Sequence, residues 1–392
     1  MTVAVIFERF GPYHHARLAA CAQTGDVTGI EIARQDTTYA WAQVAAKEAY
    51  PFVRLADDLF VGAAEIDRRL QASLDDLRPD VVAIPGWAPH YAHSAIVWAM
   101  RNAARVVVTS DSNRFDARRN PLLERSKRAI LSHASAGFAA GQDARDYLVD
   151  LGLDPARIVL GYDVVDNAHF DRPDLIPATG RRGFLAIGRF VGRKNFPRLL
   201  QAYARYRDLR PADPWPLTLA GDGADRAALQ TQAAHLGLAD HVSFPGFVDY
   251  ADLPGLYAAA GAFVLPSMVD QWGLVVNEAM AAGLPVMVSR HCGCARDLVQ
   301  HNYNGRVFDP HAVEDLALGM YWVSQDTERT CQMGQASRDI IANWSLQRFA
   351  KALYTAADLA LAAPAPRPGM IDAAVFDGLR KLAARRAPAR RR

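Results

Sequence analysis

The chain has 392 residues, of which 51% are hydrophobic and 22% are charged, and its formal net charge is +2. This length exceeds what one compact core normally holds, so two domains are expected. The small net charge gives no argument for nucleic-acid binding. No segment approaches the roughly 20 apolar residues of a membrane span, and four cysteines do not suggest a disulfide scaffold. We therefore expect a cytoplasmic globular protein.

Strand and helix patterns alternate through the first half, which predicts an α/β fold. Val3–Phe7 is interpreted as a first strand and not as part of a signal peptide, because no basic segment precedes it. The other predicted strands are Gly29–Ala33, Val81–Ile84, Arg105–Thr109 and Arg157–Leu160. The predicted helices are His14–Ala22, Ala63–Leu77, His93–Ala103 and Leu122–His133.

Three loops of this half carry candidate ligand residues, because open α/β sheets bind ligands beyond the carboxyl ends of their strands. The first contains Gly11, which allows close backbone approach, and leads into His14. The second is Pro85–His93, and the third, after residue 109, contains Asp111. A structural role is the open alternative for each: a tight turn, a packed loop, or an aspartate that caps a helix.

The second half begins with a linker, Asp171–Arg182, which is rich in proline, glycine and charge and predicts a domain boundary near residue 170. A strand over Gly183–Ile187 follows, and the region from Ala312 to Leu361 is predicted to be largely helical. Cys292 and Cys294 have no second Cys/His pair nearby, so two buried thiols are expected there and not a zinc site.

The most informative stretch is Phe263–Val286, which predicts a buried strand, a polar turn, a short helix, a Gly-Pro stop and a second buried strand. The turn contains Asp270 and the helix contains Glu278. Backbone N–H groups at the start of that helix, near Gly273 and Leu274, favour a phosphate. Amides for phosphate oxygens and a carboxylate for hydroxyl groups are what a nucleotide-sugar requires.

This stretch resembles the signature of the retaining glycosyltransferases of family 4, the glycosyl transferases group 1. The family signature has two glutamates with seven residues between them, followed by Gly-Leu-Pro-Val; here Asp270 replaces the first glutamate and Glu278 is the second. The resemblance implies the GT-B fold, in which two Rossmann-like domains face each other across a cleft.

It further implies three segments: an acceptor-binding domain over 1–170, a nucleotide-sugar-binding domain over 171–345, and a helix over 346–362 that crosses back to the first domain. The segment 363–392 is predicted to be a basic, mobile tail, because its end is rich in arginine and terminal basic runs are usually solvated.

The resemblance also implies roles for individual residues. Arg189 and Lys194 would hold the diphosphate, with Arg193 as the competitor for the role of Lys194. Glu278 would bind the ribose hydroxyls, and Asp270 would contact the transferred sugar and stabilise positive charge on its ring. The other implied donor contacts are Gly11, Gly221, Phe247, Val248, Gly273, Leu274 and Gly293. Asp111 would lie near the transferred sugar. Residue type and position in the loops, and not the resemblance, make His14, His90, Tyr91 and His93 the candidate acceptor contacts.

The resulting prediction is a retaining transferase that moves a sugar from a nucleoside diphosphate, UDP by family frequency, to a hydroxyl group of a saccharide, lipid or small molecule, with no metal ion or cofactor. An inactive nucleotide-sugar-binding protein and a nucleotide-sugar epimerase stay open as alternatives. Arg114–Leu131 carries six basic residues and is either a solvated helix or a peripheral contact with the inner face of a membrane. The oligomeric state stays open.

Overall fold

The computed structural model describes residues 1–33, 49–57, 61–210, 212–364 and residue 378. The chain divides into two compact units, one formed by Met1–Asp163 with Leu346–Arg392 and the other by Val164–Ser345. The first stretch of unit one ends at Asp163, whereas the sequence predicts a domain boundary near residue 170. The predicted basic tail lies outside the described residues from residue 365 onward, apart from residue 378.

Among the described residues of the first unit, seven parallel strands pair in the order β3-β2-β1-β4-β5-β6-β7. The strands are β1 (Thr2–Phe7), β2 (Asp26–Glu31), β3 (Phe52–Arg54), β4 (Val81–Pro85), β5 (Arg105–Ser110), β6 (Ala136–Ala139) and β7 (Ile158–Leu160). The helices between them are α1 (Pro12–Ala22), α2 (Ala63–Leu77), α3 (His90–Arg101), α4 (Pro121–Leu131) and α5 (Gln142–Asp150).

The described part of the second unit has six parallel strands in the order β10-β9-β8-β11-β12-β13. The strands are β8 (Phe184–Ile187), β9 (Leu217–Ala220), β10 (Val242–Gly246), β11 (Ala262–Leu265), β12 (Val286–Ser289) and β13 (Gly305–Phe308). The helices are α6 (Asn167–Phe170), α7 (Phe196–Leu209), α8 (Arg226–His235), α9 (Leu253–Ala259), α10 (Leu274–Ala281), α11 (Ala295–Leu298), α12 (Val313–Ser324) and α13 (Thr327–Ile341).

The last described helix is α14 (Leu346–Ala362), which packs on β5, β6 and β7 and along α1 in the first unit. Its buried side chains are mostly alanines around Phe349 and Leu353, so the helix backbone can approach the sheet closely. Alanine also has the highest helix propensity, which explains why this segment is helical along its whole length. No helix among the described residues is long and apolar enough to span a membrane.

Several elements differ from the sequence-based expectation. The strands β3 and β6 and the helix α5 were not predicted. For β6 the reason is that Ala-Gly-Phe-Ala has little strand propensity and becomes a strand by pairing with β5 and β7. The predicted loop Pro85–His93 is wrong in its second part, since α3 begins at His90 and contains Tyr91 and His93.

Candidate active site

The second sheet has its topological switch point between β8 and β11, where the strand order reverses. Ligands of open α/β sheets bind in the crevice beyond the carboxyl ends of the two strands at such a point. The loops that follow these strands are 188–195 and 266–273. They contain Arg189 and Lys194 on one side and Asp270 on the other, so the fold brings these predicted residues to one edge of one sheet.

The two loops are joined by an ion pair between Lys194 and Asp270. The Nζ atom of Lys194 lies 2.5 Å from Oδ2 of Asp270, and the two side chains are only 13% and 14% exposed. The hydroxyl of Ser267 donates a hydrogen bond of 3.2 Å to the same oxygen. A charged hydrogen bond at this depth is stronger than one on the surface, and it fixes the orientation of the Asp270 carboxylate.

Asn195 holds the same two loops together through its buried side-chain amide. This amide donates to the carbonyl of Pro266 at 3.0 Å and to that of Pro310 at 2.9 Å. Asn195 also adopts a left-handed conformation (φ 59°) at the residue that precedes α7, a conformation asparagine tolerates better than most residues. The amide of Met268 adds a hydrogen bond of 2.8 Å to the carbonyl of Arg193. The backbone around Lys194 is therefore tied to the loop that carries Asp270.

The Gly-Asp-Gly turn after β9 requires glycine at position 221. Its φ is +127°, and a Cβ atom at this position would lie 2.0 Å from the carbonyl oxygen of Gly188. Its amide donates to the carbonyl of Gly246 at 2.7 Å. The turns after β8, β9 and β10 thus pack backbone against backbone, and next to them Phe247 is 46% exposed and Val248 is half-buried.

The helix α10 begins after Gly273, whose φ of 105° favours glycine, and Leu274 is its first residue. Glu278 lies one turn further on and is buried. The hydroxyl of Tyr257, on α9, donates a hydrogen bond of 2.7 Å to Oε2 of Glu278. A buried carboxylate needs such donors. Its predicted contact with ribose stays a prediction.

The loop that contains Cys292, Gly293 and Cys294 supports the backbone of Asp270. The amide of Gly293 donates to the carbonyl of Asp270 at 3.1 Å, and the amides of Cys292 and Cys294 donate to other carbonyls of the unit. The approach of these amides to donor phosphate, which the resemblance implies for Gly293, stays a prediction. Both thiols are buried, as predicted, and burial raises their pKa values well above 9.0.

The first sheet has its switch point between β1 and β4. The loop after β1 contains Glu8, whose carboxylate accepts a hydrogen bond of 3.3 Å from the hydroxyl of Tyr91. His90 contacts Asp67, a buried carboxylate of α2, at 2.9 Å. His93 is buried, and its Nε2 bonds to the carbonyl of Trp87 at 2.7 Å. Acceptor roles for His90, Tyr91 and His93 stay predictions.

His14 is fixed at the start of α1. The amide of Gly11 donates to His14 Nδ1 at 3.1 Å, which requires that this nitrogen carries no proton. Burial, followed by the nearby charges of Arg17 and His15, lowers the pKa of His14 well below 6.5. His14 is therefore neutral near pH 7. Asp111, one residue after β5, is half-buried, and its role near the transferred sugar stays a prediction.

Four of the six basic side chains in Arg114–Leu131 have partners within the first unit. Arg114 and Arg128 contact Asp150, and Arg119 and Lys127 bond to the hydroxyl of Tyr147. Arg118 and Arg125 have no such partner among the described residues, and the segment also exposes three large apolar side chains, Phe115, Leu122 and Leu123.

Three residues of these crevices were not predicted from the sequence. Asn195 had a local signal, an Asn-Phe-Pro phrase at the start of a helix. Tyr257 and Asp67 had none, because the chain brings each to its partner from a different helix.

Comparison with protein families identifies the chain. A model described as glycosyl transferases group 1 matches residues 168–340, and one described as a glycosyl transferase 4-like domain matches residues 12–162. The chain belongs to the glycosyl transferases group 1 family. The family resemblance predicted from Asp270, Glu278 and the Gly-Leu-Pro-Val phrase is thereby confirmed.

Among curated relatives of this group 1 family member is a GDP-mannose-dependent alpha-(1-6)-phosphatidylinositol monomannoside mannosyltransferase of Mycobacterium tuberculosis. It is 33% identical over 177 residues, which are 43% of this chain and 45% of the relative. Mannosylfructose-phosphate synthase of Agrobacterium fabrum is 29% identical over 250 residues, 59% of this chain and 54% of the relative. The chain thus matches about half the length of these relatives.

A solved structure of Anabaena HepE in complex with UDP is similar over 90% of this chain and 98% of its own, with a TM-score of 0.71 and 18% sequence identity. At this identity the likeness shows the fold alone. The prediction of an α/β GT-B fold is confirmed.

Proposed function

We propose that the chain is a hexosyltransferase that moves a sugar from a nucleoside diphosphate to a hydroxyl acceptor with retention at the anomeric carbon. The observation that carries this proposal is the Lys194–Asp270 pair at the switch point of the second sheet. A cation there can neutralise the diphosphate as it leaves, and a carboxylate beside it can stabilise positive charge on the sugar ring.

The remaining donor contacts belong to the same edge of the sheet. Arg189 lies in the Lys194 loop and supplies a second cation for the diphosphate, so the reaction requires no metal ion for charge neutralisation. Glu278 binds the ribose hydroxyls, and the amides near Gly273 and Leu274 face donor phosphate. The turns after β9 and β10, with Gly221, Phe247 and Val248, contact the base. Uracil, as in a UDP-sugar, is the proposed base, and guanine, as in a GDP-sugar, is the alternative suggested by the name of the mycobacterial relative.

The test uses the full chain with UDP-, GDP-, ADP- and dTDP-sugars, with donor binding measured by calorimetry and nucleoside diphosphate release by a coupled assay. Asp270→Asn is expected to keep binding but lose turnover at least tenfold, and Glu278→Gln to weaken binding. Asp240→Asn is the matched control, because Asp240 is an exposed aspartate just before β10 in the same unit. The anomeric configuration of the product, read by NMR, tests retention.

The alternatives predict other results. Binding without nucleoside diphosphate release, even with a saccharide and lipid extract as acceptor, favours an inactive binding protein. Formation of a second nucleotide-sugar in the absence of acceptor favours an epimerase. No binding to any donor contradicts all three functions.

We also propose that the exposed surface formed by Phe115, Arg118, Leu122, Leu123 and Arg125 contacts an anionic membrane. Phe115 and Leu122 are 63% and 77% exposed, and apolar side chains beside arginines suit the boundary between headgroups and acyl chains. The lipid acceptor in the name of the mycobacterial relative is consistent with such a contact.

This second proposal is tested by co-sedimentation with vesicles of phosphatidylglycerol or phosphatidylcholine. We expect salt-dependent binding to the anionic vesicles that Leu122→Glu abolishes and Leu318→Glu, at an exposed leucine of the second unit, leaves unchanged. Equal sedimentation of the wild type and Leu122→Glu would show that the segment is only a solvated helix.

A further inference from the structure

A buried carboxylate orients one histidine at the switch point of the first sheet. Asp67, on α2, is 4% exposed, and its Oδ1 lies 2.9 Å from Nδ1 of His90, the first residue of α3. An ionised carboxylate only accepts hydrogen bonds, so Nδ1 of His90 carries the proton in this pair. In the neutral imidazole, Nε2 then carries a lone pair that can accept a hydrogen bond.

His90 occupies the part of the unit where a ligand is expected. It follows β4, and Tyr91 beside it bonds to Glu8 in the loop after β1, so both loops of the switch point meet here. His90 keeps 15% of its side chain exposed, whereas the Asp67 side chain keeps 5%. A polar group at this edge can therefore reach ligand while its partner stays buried.

The loop between β4 and α3 is held by other contacts. His93 bonds to the carbonyl of Trp87 at 2.7 Å, and the amide of Gly86 donates to two carbonyls of the sheet. Burying a carboxylate is costly unless it is hydrogen-bonded, and Nδ1 of His90 is one donor that lowers this cost for Asp67.

We propose that Asp67 is a positioning residue that holds His90 with Nε2 as the acceptor of a hydrogen bond from a hydroxyl group of a hexopyranoside. The inference rests on the proposed transferase function and assigns this contact to the acceptor sugar. The sugar O–H donates to Nε2, and no bond to carbon is formed or broken.

The tautomer is tested first, on the full chain with ¹⁵N-labelled histidine at mildly alkaline pH. His90→Gln assigns the His90 signals among the eleven histidines. The wild type is expected to show a protonated Nδ1 and an unprotonated Nε2. In Asp67→Asn the amide N–H can donate to Nδ1, so the proton is expected to move to Nε2. The reverse assignment in the wild type overturns the proposal.

Binding is tested next with methyl α-D-mannopyranoside and methyl α-D-glucopyranoside as probes, in the presence of UDP and then of GDP. One of the two glycosides is expected to shift the Nε2 signal saturably, and Asp67→Asn to raise its apparent Kd about tenfold, which is about 1.4 kcal/mol. The double variant Asp67→Asn/His90→Gln should bind the glycoside no more weakly than His90→Gln alone. If neither glycoside moves the wild-type signal, or if Asp67→Asn binds like the wild type, the proposal is wrong.

Asp75→Asn is the matched control. Asp75 also lies on α2 and also accepts a hydrogen bond from α3, from Nε1 of Trp98 at 2.7 Å. Asp75 thus links α2 to α3 as Asp67 does, but it does not contact a histidine. Asp75→Asn should therefore leave glycoside binding unchanged. Donor calorimetry on all variants separates the two proposals. Absence of donor binding contradicts the transferase, whereas intact donor binding without a His90 response contradicts only this inference.

Discussion

Replacing Lys194 by methionine would remove one charge from the Lys194–Asp270 pair while keeping a flexible side chain of similar length. The two charged atoms are 2.5 Å apart and their side chains are 13% and 14% exposed, so the pair lies close to the buried limit. The variant leaves the Asp270 carboxylate in place without this cation.

The expected cost follows from that burial. A hydrogen bond to a charged group contributes about 1.5–3 kcal/mol net, and removing one partner of a fully buried pair costs about 3–5 kcal/mol. For Lys194→Met we expect the free energy of unfolding to fall by about 3 kcal/mol. Donor affinity should fall at least tenfold as well, because Lys194 is the proposed diphosphate ligand.

The assay is a double-mutant cycle of Lys194→Met, Asp270→Asn and the double variant, followed by urea unfolding with circular dichroism and tryptophan fluorescence. Trp272, two residues from Asp270 and buried, makes fluorescence sensitive to the second unit. A coupling energy of about 2 kcal/mol is expected. Lys351→Met, at an exposed lysine of α14, should change stability by less than about 0.5 kcal/mol.

Additive effects would refute the reasoning. If the double variant loses the sum of the two single losses within about 0.5 kcal/mol, Lys194 and Asp270 do not interact in solution. If stability falls as expected but donor affinity does not, the pair is structural and Lys194 is not a diphosphate ligand.

Three further outcomes are expected in urea unfolding. Asn195→Ala should lower the free energy of unfolding by about 2–4 kcal/mol, because two buried carbonyls lose their donor. Its control, Asn302→Ala, shares the left-handed conformation at an exposed position and should lower it by about 1 kcal/mol or less. Equal losses would mean that only the backbone strain at Asn195 matters. Gly221→Ala should lower the free energy of unfolding by about 3 kcal/mol or more, because its Cβ would collide with a backbone carbonyl. In Gly192→Ala the added Cβ meets open space, so this control should be nearly neutral. Similar losses in both variants would contradict the packing argument. The pKa of His14 in the folded chain lies below the unfolded value of about 6.5. The stability contributed by neutral His14 is therefore complete above pH 6.5 and is lost as the pH falls below it. His14→Gln should reduce this loss of stability in acid, and an unchanged pH profile would contradict the burial of a neutral histidine.

The two-unit α/β architecture and several residues at the switch point of the second sheet could be predicted from the sequence because their signals are local. Buried apolar runs that end at glycine or proline predicted β11, α10 and β12 closely, since both the pattern and the stop lie within one short stretch. Asp270, Glu278 and the Gly-Leu-Pro-Val phrase were sufficient to predict the family. Strand β6 has no such signal, because its conformation depends on pairing with neighbours far along the chain.

Contacts between side chains that are distant in the sequence became visible in the three-dimensional structure. Lys194 and Asp270 are 76 residues apart, and Asp67 and His90 lie on different helices. Sequence spacing does not encode such contacts, because they depend on the order in which parallel strands assemble and on the loops that the order brings together. The sequence therefore determined the family, the α/β class and the candidate donor residues. The fold determined that a lysine holds Asp270, that a tyrosine donates to Glu278, and that a buried aspartate orients His90.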